Sequence, residues 1–167
     1  MRLRLACRSF ADEAATRPCL VGLTLLALTL SQIGCGDEPV FPFDDAACKA
    51  SLTRSDAVDA FAWFKDPYGG EKRLGDWSTD QGLAFAHQLE ILGAKRVVAV
   101  GVHEVPGTPP SRAALGLVAE LPDDLVHRKK LFERHASQVR SIGYRPRPDT
   151  GQRFLLFSWQ SPHARTP

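Results

Sequence analysis

The 167-residue chain has no apolar run long enough to cross a bilayer. Its longest, from Leu20 to Leu30, is eleven residues, whereas a spanning helix needs roughly 20. Cysteine is scarce too: the chain has four, and Cys7, Cys19 and Cys35 fall in or next to the leader described below. Cys48 is left alone, so no internal disulfide is expected and stability must come from an apolar core. Nor is one sign of charge in excess, with 21 basic and 19 acidic residues. That balance excludes nucleic acid as an expected partner, because such proteins carry a basic surface. No segment repeats.

Several chemical motifs are missing as well. Gly69, Gly70 and Gly75 do not fit the GxxxxGK[ST] spacing of a phosphate loop. No Gly-x-Ser-x-Gly elbow is present. "HEVPG" at His103 lacks the second histidine of HExxH, and its proline would stop the helix that motif needs. His127 and His135 lie eight residues apart, about 80° around a helix, so they do not face one point. No metal or cofactor is expected.

The first distinct signal is the leader. Arg2, Arg4, Arg8 and Arg17 precede the apolar run, and Ser31, Gln32 and Gly34 follow it, the order of a secretory signal peptide. The next residues, "SQIGC", resemble the lipobox of bacterial lipoproteins, with Gly34 before Cys35. The resemblance implies cleavage before Cys35 and acylation of that cysteine, which would become the mature N-terminus at a membrane of the cell envelope, on the periplasmic face or outer membrane. The alternative is a secreted chain with Cys35 unmodified. Residues 1–34 are therefore read as signal peptide, 35–52 as tether and 53–167 as one domain.

Four basic and two acidic residues lie in the leader, leaving 17 of each sign. They are unevenly placed. Residues 37–80 hold ten acids against five bases, and residues 81–167 hold seven against twelve. Two segments packed with complementary surfaces would explain this, and a basic face for an acidic partner is the other reading.

Periodicity then orders the domain. "TRSDAVDAFAWFKDP" predicts a short helix opening near Thr53 and ending before Pro67. "DPYGGEKRLGD" reads as a loop. Ser78 and Gln81 form a capping box, apolar residues from Leu83 to Leu92 share one face, and Gly93 closes a helix over 79–92. "KRVVAVGVHEV" and "AALGLVAEL" predict an antiparallel hairpin across the loop "PGTPPSR". A helix capped by Asp123 runs to Ile142, with Leu125, Phe132, Ala136, Val139 and Ile142 as its apolar stripe. A strand over 153–159 ends the domain. The expected class is α+β, a small ferredoxin-like αββαβ sandwich with an antiparallel sheet and two helices on one face. Apolar residues on both sides of the last strand leave the second face to be covered by "FAWF", by a second copy of the chain or by a protein partner.

Several residues invite a chemical reading. Asp149, Thr150 and Gly151 spell the triplet of aspartic proteases, although "RPRP" before it and Gln152 after it suit a tight turn instead. "HRKK" at 127–130 reads as a solvated charge run. Trp63, Tyr68 and Trp77 suit either core or a small-molecule cleft. His135 falls inside the apolar stripe and reads as a core histidine or as an acid–base group opposite His87, Asp76 or Asp80. A membrane-tethered binding module is the expected function. The alternative is a small hydrolase-like enzyme using His87 and His135 with acids of the 66–80 loop.

Overall fold

The computed structural model describes residues 38–68 and 70–160. In order, these contain α1 (Asp45–Leu52), β1 (Val58–Asp59), α2 (Ala60–Lys65), β2 (Glu71–Leu74), α3 (Thr79–Ile91), β3 (Arg96–Val100), β4 (His103–Val105), β5 (Ser111–Ala114), β6 (Gly116–Glu120), α4 (Leu125–Ser141) and β7 (Phe154–Ser158). The leader and Cys35 lie outside the described residues. No helix among the described residues is long and apolar enough to cross a membrane.

The larger sheet has the order β1-β3-β6-β7, antiparallel throughout. Successive side chains point to opposite faces, so its register sorts the core in two. Val98, Val118 and Leu156 align across the sheet and pack with Phe41, Cys48, Val139 and Tyr144. Ala99, Leu117 and Phe157 align beside them and pack on the other face with Trp63 and Phe64 of α2 and Phe85 and Leu89 of α3. Burial on both faces explains why these strands are apolar throughout instead of alternating.

The α+β class and the antiparallel sheet agree with expectation. A full ferredoxin-like sheet places another strand between the two that flank each helix; the expected αββαβ order lacks the first strand, and here β6 and β7 flank α4 and pair directly with each other. The two helices sharing a face are α2 and α3. Helix α4 instead straddles the edge of β7, giving Leu131 to one core and Val139 to the other.

The stretch expected as a tether is part of the domain from Val40 onward. Asp44 accepts the Ala47 N–H and starts α1, while Phe41 and Cys48 are 1% exposed. This segment, not "FAWF", covers the second sheet face, so that face is closed to a second copy or a partner. Prolines and acids hid the helix because its eight residues are too few to show a stripe. Thr53 closes α1 instead of opening the next helix, and Asp59 caps α2. The acidic N-terminal segment touches the basic C-terminal one through backbone groups: Asp45 accepts the N–H groups of Arg153 and Phe154, and Arg147 donates to the Phe41 carbonyl. Among the described residues no ion pair joins residues 37–80 to residues 81–167, so the uneven charge is not explained by pairing between them.

The long strand expected over 95–105 breaks at Gly101, whose φ of +64° suits glycine and which lies against Leu115. Beyond the break β4 joins a smaller sheet, β2-β5-β4, in which β2 and the first half of β5 were read as loop. The hairpin thus divides between two sheets, the pair flanking its loop, β4·β5, in one and the outer pair, β3·β6, in the other. Strand β2 is held by Lys72, which is 1% exposed. Its ammonium donates to the carbonyls of Asp66, Tyr68 and Gly70 at 2.7, 2.6 and 3.1 Å. All three donors are satisfied, and the glycine-rich loop is wrapped around its own cation.

The capping box of α3 is formed as expected, with Ser78 and Gln81 each meeting the other's backbone N–H. Helix α4 is capped by Asp124 rather than Asp123, which pairs with Lys95 at 2.6 Å. Its buried face is also rotated from the expected stripe. Leu131, His135, Gln138 and Val139 are buried, while Leu125 is 78% exposed.

Candidate functional site

His135 is 2% exposed and lies edge-on to the rings of Phe41 and Phe157. Its Nε2–H donates to the Leu156 carbonyl at 3.0 Å, and one turn later the Gln138 amide donates to the Ser158 carbonyl. These two side chains close the outer edge of β7, which would otherwise present unpaired backbone groups. Burial pushes the imidazole down to about 4, opposed only by its bond to Leu156, so it is neutral at physiological pH. The role that fits is edge capping, not proton transfer.

The other expected site residues do not join it. His87 stands on α3 against the Phe61 ring, 3.4 Å from Glu90. Asp76 and Asp80 are exposed, and Asp80 sits in the first turn of α3. His103 donates to the Gly101 carbonyl, and His127 pairs with Asp124 at 2.7 Å. The structure therefore does not bring His87 and His135 together, which removes the geometry the hydrolase reading needs. Among the described residues no three His, Cys, Asp or Glu side chains group as metal ligands. Cys48 is buried, and desolvation with the nearby Asp45 and Asp44 pushes its thiol up to about 12, so it is no nucleophile. Trp77 packs edge-on to Phe85 and Trp159, and Trp63 is buried beside Phe64, so both belong to the core; Tyr68 is exposed.

The Asp149 triplet is a turn with a structural task. Asp149 accepts the Gly151 N–H, and Gly151 has a φ of +86°. The same carboxylate takes two bonds from the Arg128 guanidinium, at 2.6 and 2.7 Å, which also hold it below the usual carboxylate range. Arg128 additionally donates to the Gln152 carbonyl at 2.6 Å. Residues 145–149 are thereby latched along the outside of α4.

Between that strap and the helix runs an open groove of about 610 Å³. Leu125, Phe132 and Ala136 supply its apolar lining, and Lys129, Arg140 and Arg147 supply cations along it, with Glu133 and the latched Asp149 as the acids. On the far side of the strap a second cavity of about 440 Å³ is lined by Val40, Phe43, Asp44, Asp45 and Phe154. Sequence reasoning missed the groove because it assigned Leu125 to the buried stripe and "RPRP" to an idle turn. The available signal was the Leu125-Val126 pair directly after the cap, followed by a run of cations. No protein-family model, curated protein or solved structure matches the chain.

Proposed function

We propose that the chain is a bacterial lipoprotein, cut before Cys35 and acylated there, whose α+β domain acts at the cell envelope by binding and not by turnover. The groove along α4 carries this reading. Its volume of about 610 Å³ falls within the roughly 300–1,000 Å³ of ligand sites. Its lining of leucine, phenylalanine and alanine beside lysine and arginine suits a partner with an apolar body and an anionic group. The Arg128–Asp149 latch holds the strap in place beforehand, which lowers the entropy lost on binding.

Thermal melts of the full chain test this against anionic amphiphiles, their uncharged counterparts of equal chain length, and short acidic peptides. A ligand at 100 times its dissociation constant adds about 2.7 kcal/mol, enough to move the midpoint by several degrees. The expected result is a shift with anionic amphiphiles that a Lys129→Glu, Arg147→Glu variant loses. Equal shifts with charged and uncharged amphiphiles, or an unchanged shift in the variant, would overturn the groove as the site.

A further inference from the structure

The chain path from the acylation site bounds which side of the domain meets the membrane. Pro39 and Phe41 bracket Arg145: the Arg145 N–H donates to the Pro39 carbonyl, and the Phe41 N–H donates to the Arg145 carbonyl, both at 2.9 Å. Four peptide units join Cys35 to Pro39, a reach of about 14 Å even when fully extended. Acyl chains on Cys35 would therefore enter the bilayer within about 14 Å of Pro39, whatever path the intervening residues take. That places Arg145 and the strap beside it close to the headgroup layer.

The same side carries what an interfacial surface needs. The strap runs back along α4, from Tyr144, which bonds the helix end at Val139, to Asp149, latched to Arg128 near the helix start. At that far end Leu125 and Val126 are 78% and 61% exposed, two adjacent aliphatic side chains with no cover among the described residues. Between the two ends lie Lys129, Lys130, Arg140, Arg145 and Arg147, with Glu133 among them; the other acids of this side, Asp123, Asp124 and Asp149, are paired with Lys95, His127 and Arg128. Of the acids near the tether, Asp44 caps α1 and Asp45 holds the start of β7, while Glu38 is exposed. Apolar residues beside cations on one helix face are the composition of helices that lie in an anionic bilayer surface. A 17-residue helix is about 25 Å long, so lying flat engages the tether end and the Leu125 end together.

The geometry points to the exposed face of α4 and the 145–149 strap as a docking surface for an anionic phospholipid bilayer, the membrane that holds the acyl anchor. This names the partner of the groove and rests on the lipoprotein reading for its orientation. The acyl anchor supplies attachment, and the basic face sets the domain's attitude, laying α4 parallel to the membrane.

The experiment has two arms. In the first, the full chain in native membranes is labelled with a membrane-impermeant amine reagent, and the same chain is labelled after extraction into detergent. Docking predicts that membranes slow labelling of Lys129 and Lys130 several-fold while Lys65 is unchanged. A Leu125→Ser, Lys130→Glu variant is expected to stay in the membrane fraction and lose the protection of Lys129. Equal labelling of Lys129 with and without membranes, in a chain that is anchored, overturns the docking and leaves the anchor standing.

The second arm uses the purified full-length Cys35→Ser chain, which cannot be acylated, beside the same chain carrying Leu125→Ser and Lys130→Glu, so that binding through the leader common to both is subtracted; the vesicles are phosphatidylglycerol with phosphatidylcholine or phosphatidylcholine alone. Leader-subtracted co-sedimentation is expected with the anionic vesicles only, weakened about fivefold for each cation neutralised. Free glycerol phosphate should not compete at matched ionic strength if the bilayer surface is the partner; full competition would reassign the face to a soluble phosphate compound. Binding to neither vesicle overturns the docking surface, independently of whether Cys35 is acylated. A wild-type chain absent from the membrane fraction overturns the lipoprotein reading alone.

Discussion

Removing the titration of His135 should flatten the pH dependence of stability. The imidazole is held neutral at about 4 against an ordinary 6.5 by burial between Phe41 and Phe157. Above pH 6.5 both folded and unfolded chains leave it neutral, and its contribution is fully present. As the pH falls from 6.5 the unfolded chain takes up a proton that the folded chain refuses, so stability declines until about pH 4, where both are protonated. At about 1.4 kcal/mol for each pH unit of that window, the loss is about 3 kcal/mol, a large part of the roughly 5–15 kcal/mol that holds a domain together. The assay is urea denaturation of the wild type and of His135→Gln between pH 7.5 and 4.5. Glutamine keeps a donor for the Leu156 carbonyl and does not titrate. Asp56, Asp123, Asp124 and Asp149 are all held below the usual carboxylate value by their partners; they act lower on the scale and equally in both proteins. The wild type should lose about 2.5 kcal/mol between pH 7.5 and 4.5 relative to the variant. Parallel curves would refute the burial argument and return His135 to the list of available acid–base groups.

Three further outcomes are expected. Lys72→Met should cost about 2–4 kcal/mol in chemical denaturation, because the carbonyls of Asp66, Tyr68 and Gly70 lose their shared donor, and limited proteolysis should then cut first within residues 66–71. Peptide-resolved alkylation at pH 8 should leave Cys48 unmodified in the folded protein and modify it only at denaturant concentrations that unfold the domain, since its thiol is buried and pushed up to about 12. Arg128→Ala should free the strap at a cost of only about 1 kcal/mol, the modest figure reflecting the exposure of Asp149. Faster amide exchange at Gly151 is the readout for that variant.

What could be read from the chain followed the strength of local signals. Helix α3 was legible to within a residue because Ser78, Gln81 and Gly93 mark both ends by backbone chemistry that needs no tertiary partner. Strands β3, β6 and β7 were legible from β-branched and apolar density. Helix α1 was not, because its eight residues owe their helicity to packing Phe41 and Cys48 on the sheet, a tertiary effect. The rotation of α4 was hidden for a related reason. A polar His135 and Gln138 face inward to satisfy the edge of β7 while Leu125 faces out, so hydrophobicity pointed to the wrong side. The same inversion concealed the groove, whose apolar end had been counted as core.

The most direct measurement for the account as a whole is intact and tryptic mass of the chain recovered from the membrane fraction of the producing cell, for wild type and Cys35→Ser. The lipoprotein reading predicts a mature N-terminus at Cys35 carrying acyl mass, and a variant that carries no acyl mass. A mature chain that begins elsewhere, or that begins at an unmodified Cys35 and is recovered in the soluble fraction, would contradict it.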